Sequence, residues 1–238
     1  MRIILLLSIL LFTSQPVFLQ AEQLSLNTFP ESWSWTSVNT KSVQSQGHWI
    51  ADRFRFADAD HKYTTEDNAS LTWEFSGSSL GIRLAGQNTS SYPGTGLPSH
   101  GKLSVYLDER FISTIYPAQS GREFVVANGL EDGKHHLKLV HHTDGDAAGV
   151  RIEGFFTANQ PLGLLSMNVT AELQEYMNDV RFVISQNGKV IRSTIGRNWL
   201  TGRASILLPP DNTFDLQIEA LGWVSQRATT NRIRHDVP

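Results

Sequence analysis

The sequence predicts an all-β protein of two β-sandwich domains, on three observations. From Leu71 onward apolar residues recur at every second position, the spacing that sends one face of a strand into a core and the other outward. Pairs such as Asn128-Gly129, Asp132-Gly133, Asp144-Gly145 and Asn187-Gly188 cut that pattern into short runs. No long amphipathic helix is legible, although Ala171 to Met177 could make a turn or two. Many short strands separated by Gly and Pro turns point to antiparallel sandwiches rather than to alternating strands and helices.

The N-terminus reads as a secretory signal peptide over residues 1–21. Arg2 precedes an apolar run from Ile3 to Phe12, then a turn-prone stretch from Thr13 to Pro16 leads to cleavage near Ala21. That run is about ten residues, half of the roughly twenty a membrane helix needs, so no membrane span is expected. The protein is expected to be secreted, extracellular or periplasmic. It contains no cysteine, so its domains must rest on their own cores without disulfides, and no lipoprotein anchor is expected. A formal charge of -3 leaves no electrostatic footprint for nucleic acid or an anionic membrane surface.

The first domain is placed at residues 22–158. Leu71, Trp73 and Phe75 alternate with Thr72, Glu74 and Ser76, and Leu80, Ile82 and Leu84 with Gly81, Arg83 and Ala85, so the second member of each set is expected to face water. Leu103, Val105 and Leu107 follow, with a turn at Asp108 and Glu109 before Phe111, Ile112 and Ile115. Further strands read as Phe124 to Ala127, His136 to His142 and Val150 to Phe156. Asn159, Gln160 and Pro161 form a polar connector, and a smaller domain occupies residues 163–238. Its strands read as Leu164 to Leu173, Val180 to Ser185, Val190 to Ile195, Ala204 to Leu208 and Phe214 to Ala220.

Several segments follow a familiar order along residues 30–157: Gly47-His48-Trp49, the strand from Ala69 to Gly77, Gly81-Ile82-Arg83-Leu84, and Val105-Tyr106-Leu107-Asp108. Gly129-Leu130 with Gly133, His135, Leu137 and Leu139 comes next, then Ile152-Glu153-Gly154-Phe155. In that order they resemble the jelly-roll modules of the galactose-binding-like superfamily, as found N-terminal to some bacterial carbohydrate esterases. The resemblance implies an N-terminal jelly roll, sugar recognition and, in many members, a structural calcium. Asn187 to Ile191, Thr201 to Ala204, Leu208-Pro209-Pro210 and Ala220 to Trp223 make the second domain similar to transthyretin-like or carboxypeptidase-regulatory sandwiches, a small transthyretin-like or immunoglobulin-like fold.

Each chemistry-bearing residue also has a plainer role. Gly77-Ser78-Ser79-Leu80-Gly81 has the spacing of a hydrolase nucleophile elbow, but an alternating strand follows where a helix is required, so it reads as a hairpin. His135 and His141 are six residues apart on one strand, about 20 Å, too far to share a metal. His135 reads as a core-edge residue and His142 as solvent-facing. Asp58, Asp60, Glu66 and Asp67 make an acidic loop with the oxygen ligands a structural calcium would take, the one cofactor considered.

Sugar recognition needs an aromatic surface and nearby amides or charges. Trp33, Trp35 and Trp49 near the mature N-terminus, and Asn88, Tyr92 and His100 in the loop from Gln87 to His100, supply both. Trp33, Trp35, Asn88, Tyr92 and His100 are therefore the candidate ligand-binding set, while Trp73 reads as core. Trp199, in an expected loop from Gly196 to Gly202, and Trp223 are further aromatics. Asn68, Asn88 and Asn168 open glycan-acceptor triplets that matter only in a eukaryotic secretory route. No complete catalytic constellation is legible. The expected function is a non-catalytic module binding an oligosaccharide or polysaccharide, with a non-catalytic part of a carbohydrate esterase or other secreted hydrolase, or a structural or adhesion spacer, as alternatives.

Overall fold

The computed structural model describes residues 28–52, 61–84, 101–116, 122–143, 149–169, 177–199, 202–210, 213–220 and 226–230. All regular structure among them is strand, and no helix there is long and apolar enough to cross a membrane. In chain order the strands are β1 (Trp33–Ser37), β2 (Val43–Gln46), β3 (Ile50–Asp52), β4 (His61–Thr64), β5 (Ser70–Ser76), β6 (Ser79–Leu84), β7 (Lys102–Leu107), β8 (Arg110–Ile115) and β9 (Glu123–Asn128). They continue with β10 (Lys134–His142), β11 (Val150–Ala158), β12 (Gly163–Val169), β13 (Met177–Gln186), β14 (Lys189–Trp199), β15 (Gly202–Leu208), β16 (Phe214–Ala220) and β17 (Gln226–Thr230).

Two antiparallel sheets face each other in the first unit. One has six strands, ordered β3-β4-β11-β6-β9 with β1 added beside the second half of β11; the other has five, ordered β2-β5-β10-β7-β8. The alternating apolar residues are their inward faces. Leu71, Trp73 and Phe75, Leu103 and Val105, and Leu137 and Leu139 meet Leu80, Ile82, Leu84, Ile152 and Phe155 in one buried core. Within it Trp73 stacks on Phe155 at 4.8 Å between centroids. Asp108 and Glu109 take φ of 49° and 67°, the mirror-image turn that matches strand twist in a two-residue hairpin, and Asn187 and Gly188 do the same between β13 and β14. Gly77 and Ser78 turn β5 into β6, and Ser79 is a buried strand residue, so the Gly-x-Ser-x-Gly segment is a hairpin. At Gly154, beside a bulge in β11, a Cβ would fall 2.2 Å from the Thr36 carbonyl oxygen; glycine lets β1 close there.

The second unit holds a two-stranded sheet, β12-β15, and a four-stranded one, β14-β13-β16-β17. Phe182, Ile184, Ile206, Leu208, Phe214 and Leu216 form its core. Trp199 closes β14 rather than lying in a loop, because the β13–β14 ladder extends to the pair Met177 and Trp199. Met177 opens β13, and the rest of the short helical stretch expected there lies outside the described residues, as does Trp223. The first four strands were not foreseen, since they are short and carry little alternation.

The expectation that Arg83 faces water is overturned. Every residue of β6 and β11 is buried, because the outer face of the six-stranded sheet packs against the second unit. Gly81 shows how tightly: a Cβ there would fall 2.4 Å from Leu207 of β15. Trp33, Phe156, Ala158, Leu162 and Leu207 form a third core cluster between the units. Beside it lies a buried ionic cluster. Arg83 Nε is 2.9 Å from Glu153 Oε2 and 3.6 Å from Glu123 Oε1, and Arg122 Nη2 is 2.6 Å from Glu153 Oε1.

The second unit completes the cluster. Arg192 pairs with Glu123 and also donates to the Thr28 and Ser193 carbonyls, while its guanidinium lies 4.8 Å over the Phe29 ring. Glu123 Oε2 accepts the Leu207 amide at 2.7 Å, and Arg83 donates to Thr194 Oγ1 at 2.9 Å. Burial pulls the Arg192 pKa down to about 10, with Arg83 and Arg122 adding repulsion against the attraction of Glu123. It therefore stays charged at neutral pH.

Removing one member of a buried pair leaves the other charge uncompensated, at about 3–5 kcal/mol. Glu123→Gln is expected to lower stability by about 3 kcal/mol or more in urea unfolding, whereas Glu74→Gln, which breaks an exposed pair with Lys134, should change it marginally. Equal effects would contradict this account of the interface.

Candidate functional site

With one sheet covered, the open surface of the first unit is the outer face of the five-stranded sheet. A groove of about 700 Å³ crosses it, lined by Thr72, Tyr106, Asp108, Glu109, His136, Leu137, Lys138 and Val140. Register assembles this site. Gln44 pairs with Thr72, Thr72 with Lys138, Lys138 with Tyr106 and Tyr106 with Phe111, so one row of side chains spans all five strands, about 19 Å at 4.8 Å per strand. Tyr106 and Phe111 meet edge to face at 5.7 Å, and Phe111 is 58% exposed. An exposed ring beside hydroxyl, amine and imidazole groups can stack on an apolar sugar face while its neighbours bond hydroxyls.

The hairpin turn at one end of the groove is fixed by His135. This residue is buried, tilted against Phe75, and its Nδ1 lies 2.8 Å from Asp108 Oδ2 while Nε2 lies 2.9 Å from the Glu131 carbonyl. Both partners are acceptors, so only the imidazolium form satisfies them together. The bond to Asp108 accordingly raises the His135 pKa above its ordinary value, helped by the Glu131 carbonyl. Asp108 is lowered, first by the His136 amide that donates to Oδ1 at 2.7 Å and then by His135. Along the groove wall Glu74 is held below the usual carboxylate range by Lys134, at 2.6 Å, with His136 Nε2 at 3.5 Å.

Two members of the ligand set expected from sequence, Trp33 and Trp35, lie away from this groove. Trp33 is 7% exposed and packs edge-on to Phe156, while Trp35 is half-buried and stacked on Phe29. Both rings belong to the third core cluster, on the side of the second unit. Trp33 lies level with Ser79 across β11, whereas the loop bearing Asn88, Tyr92 and His100 leaves β6 after Leu84, about 17 Å along the strand. That loop itself lies outside the described residues, as do Asp58 and Asp60. Glu66 accepts the His48 amide at 2.6 Å, and Asp67 accepts the Thr143 amide and the Asn68 side chain, so both carboxylates brace turns. Among the described residues no three metal-binding side chains cluster. The groove residues are ordinary strand and turn positions taken singly; the exposed apolar Phe111 and Ile112 are the local signal.

Residues 53–164 match the family model described as carbohydrate esterase 2 N-terminal, which covers the first unit from β4 through β11. The galactose-binding-like resemblance of that unit is thereby supported; the match stops within β12, and the type of the second sandwich rests on sequence alone. A comparison with curated proteins gives no match. Among solved structures, a family two carbohydrate esterase from Cellvibrio japonicus is similar at 15% identity and a TM-score of 0.42, over 53% of this chain and 33% of that one. A two-domain esterase (CEX) active on acetylated mannans, co-crystallized with mannopentaose, gives 12% and 0.42 over 55% and 37%. The Agl-KA catalytic domain gives 9% and 0.39 over 57% and 29%. The chain spans about a third of the length of these structures.

Linkage fixes a pH dependence for the His135–Asp108 contact. The charged imidazole contributes stability that is full below the ordinary histidine value of about 6.5 and is lost as pH rises through the raised folded value. Asp108 contributes above the ordinary value of about 3.9, and that share is lost as pH falls through its lowered folded value. Asp108→Asn, which tolerates the positive φ, is expected to be less stable than the native chain near neutrality, with the gap narrowing as pH climbs past the folded His135 value. Denaturant curves across that range check it, and a constant gap would contradict it.

Proposed function

We propose that the chain is the accessory, glycan-holding part of a secreted carbohydrate-esterase system, and that it binds an oligosaccharide or polysaccharide without transforming it. The observation that carries this is the row Thr72, Lys138, Tyr106 and Phe111, an aromatic platform flanked by hydrogen-bonding groups across an open groove. The family match of residues 53–164 supports the esterase context. Work outside the cell follows from the signal-peptide reading of residues 1–21. Loops on rigid sandwiches also bind ligands, so the competing location is the set Trp33, Trp35, Asn88, Tyr92 and His100, with calcium at the acidic loop of Asp58, Asp60, Glu66 and Asp67.

A glycan array with the mature chain, run with and without Ca²⁺, separates these. The double variant Tyr106→Ala/Phe111→Ala is expected to lose glycan binding at least about tenfold, on the order of the 1–3 kcal/mol that stacking on an aromatic side chain is worth for a nucleic-acid base, while Trp35→Ala/Tyr92→Ala keeps it in either buffer. Loss confined to the second variant would move the site to the loop. No binding of any glycan would leave a spacer role.

A further inference from the structure

We infer that the groove selects an anionic sugar residue, carboxylated or sulfated, with its charge against Lys138; this rests on the glycan-binding reading above. The outward positions of β7 and β10 carry Lys102, Lys134, His136, Lys138 and His142, against the single carboxylate Glu74 of β5. Such a bias is notable in a chain whose formal charge is -3.

Most charges near the groove have partners; among the described residues Lys138 at its centre and Glu109 on its rim do not. Glu74 is bracketed by Lys134 and His136, Asp108 is bonded to His135 and the His136 amide, and Asp67 lies 3.8 Å from His142. Glu109 stands at the hairpin turn on the rim. Lys138 is exposed, sits between Thr72 and Tyr106 in the middle of the row, and makes no ion pair among the described residues. An ammonium placed between a hydroxyl and an aromatic ring, two strands away from the exposed Phe111, offers a charge partner to a sugar substituent whose ring stacks on the aromatic pair. Lysine acts as a point charge without bidentate geometry, so a carboxylate and a sulfate ester both satisfy it.

The test is calorimetric titration of the native chain and of Lys138→Gln with tetragalacturonate, a sulfated galactan tetrasaccharide and neutral galactotetraose. One of the charged sugars, or both, is expected to bind about tenfold more tightly than the neutral one, the value for a charge-assisted hydrogen bond. That advantage should vanish in Lys138→Gln, survive largely in Lys138→Arg, and shrink as salt rises from 0.1 M to 1 M. Which charged sugar binds separates carboxylate from sulfate. Equal binding of charged and neutral sugars, or an advantage that Lys138→Gln leaves intact, overturns the inference while glycan binding stands. Failure of all three, together with a blank array, removes the glycan reading itself.

Discussion

The buried cluster of Arg83, Arg122, Glu123, Glu153 and Arg192 is the constraint on which the arrangement of this protein depends. Charges taken out of water are costly unless paired and hydrogen-bonded, and here each guanidinium has its partners on a different element. Glu123 alone receives Arg192 from β14 and the Leu207 amide from β15 while lying near Arg83 of β6. Such an arrangement is satisfied in one relative placement of the two units. The apolar contacts around Leu207, Phe156 and Leu162 supply area; the ions supply registry.

That placement decides which surface can bind. Covering the six-stranded sheet leaves the five-stranded one as the free face of the sandwich, and its register brings Thr72, Lys138, Tyr106 and Phe111 into a line although they are scattered along the chain. The His135–Asp108 contact then holds the hairpin turn at one end of the line. Strands and one two-residue hairpin turn position every group in the groove.

Much of the fold was legible in the residues. Strong alternation located β5, β6, β7 and β10, Asn-Gly and Asp-Glu marked two hairpin turns, and Trp73 and His135 took the core and core-edge places expected of them. The failures have a shared cause. Arg83 looks like a solvent-facing strand residue, and only the partner surface, far away in sequence, makes it interior. Trp33 and Trp35 likewise carry no local sign of Phe29 and Phe156, the rings that pack against them. The groove was not legible because cross-strand neighbours carry no local signature in the sequence.

The bridge between Thr28 and Ser193 bears on the order in which the protein is made. Its amide and carbonyl contacts join positions 165 residues apart, and β1 must likewise wait for its partner in β11. During synthesis the segment from Thr28 to Ser37 therefore has no native place to go until most of the rest has emerged. Long-range pairings of this kind delay closure, so this segment is among the last to be seated.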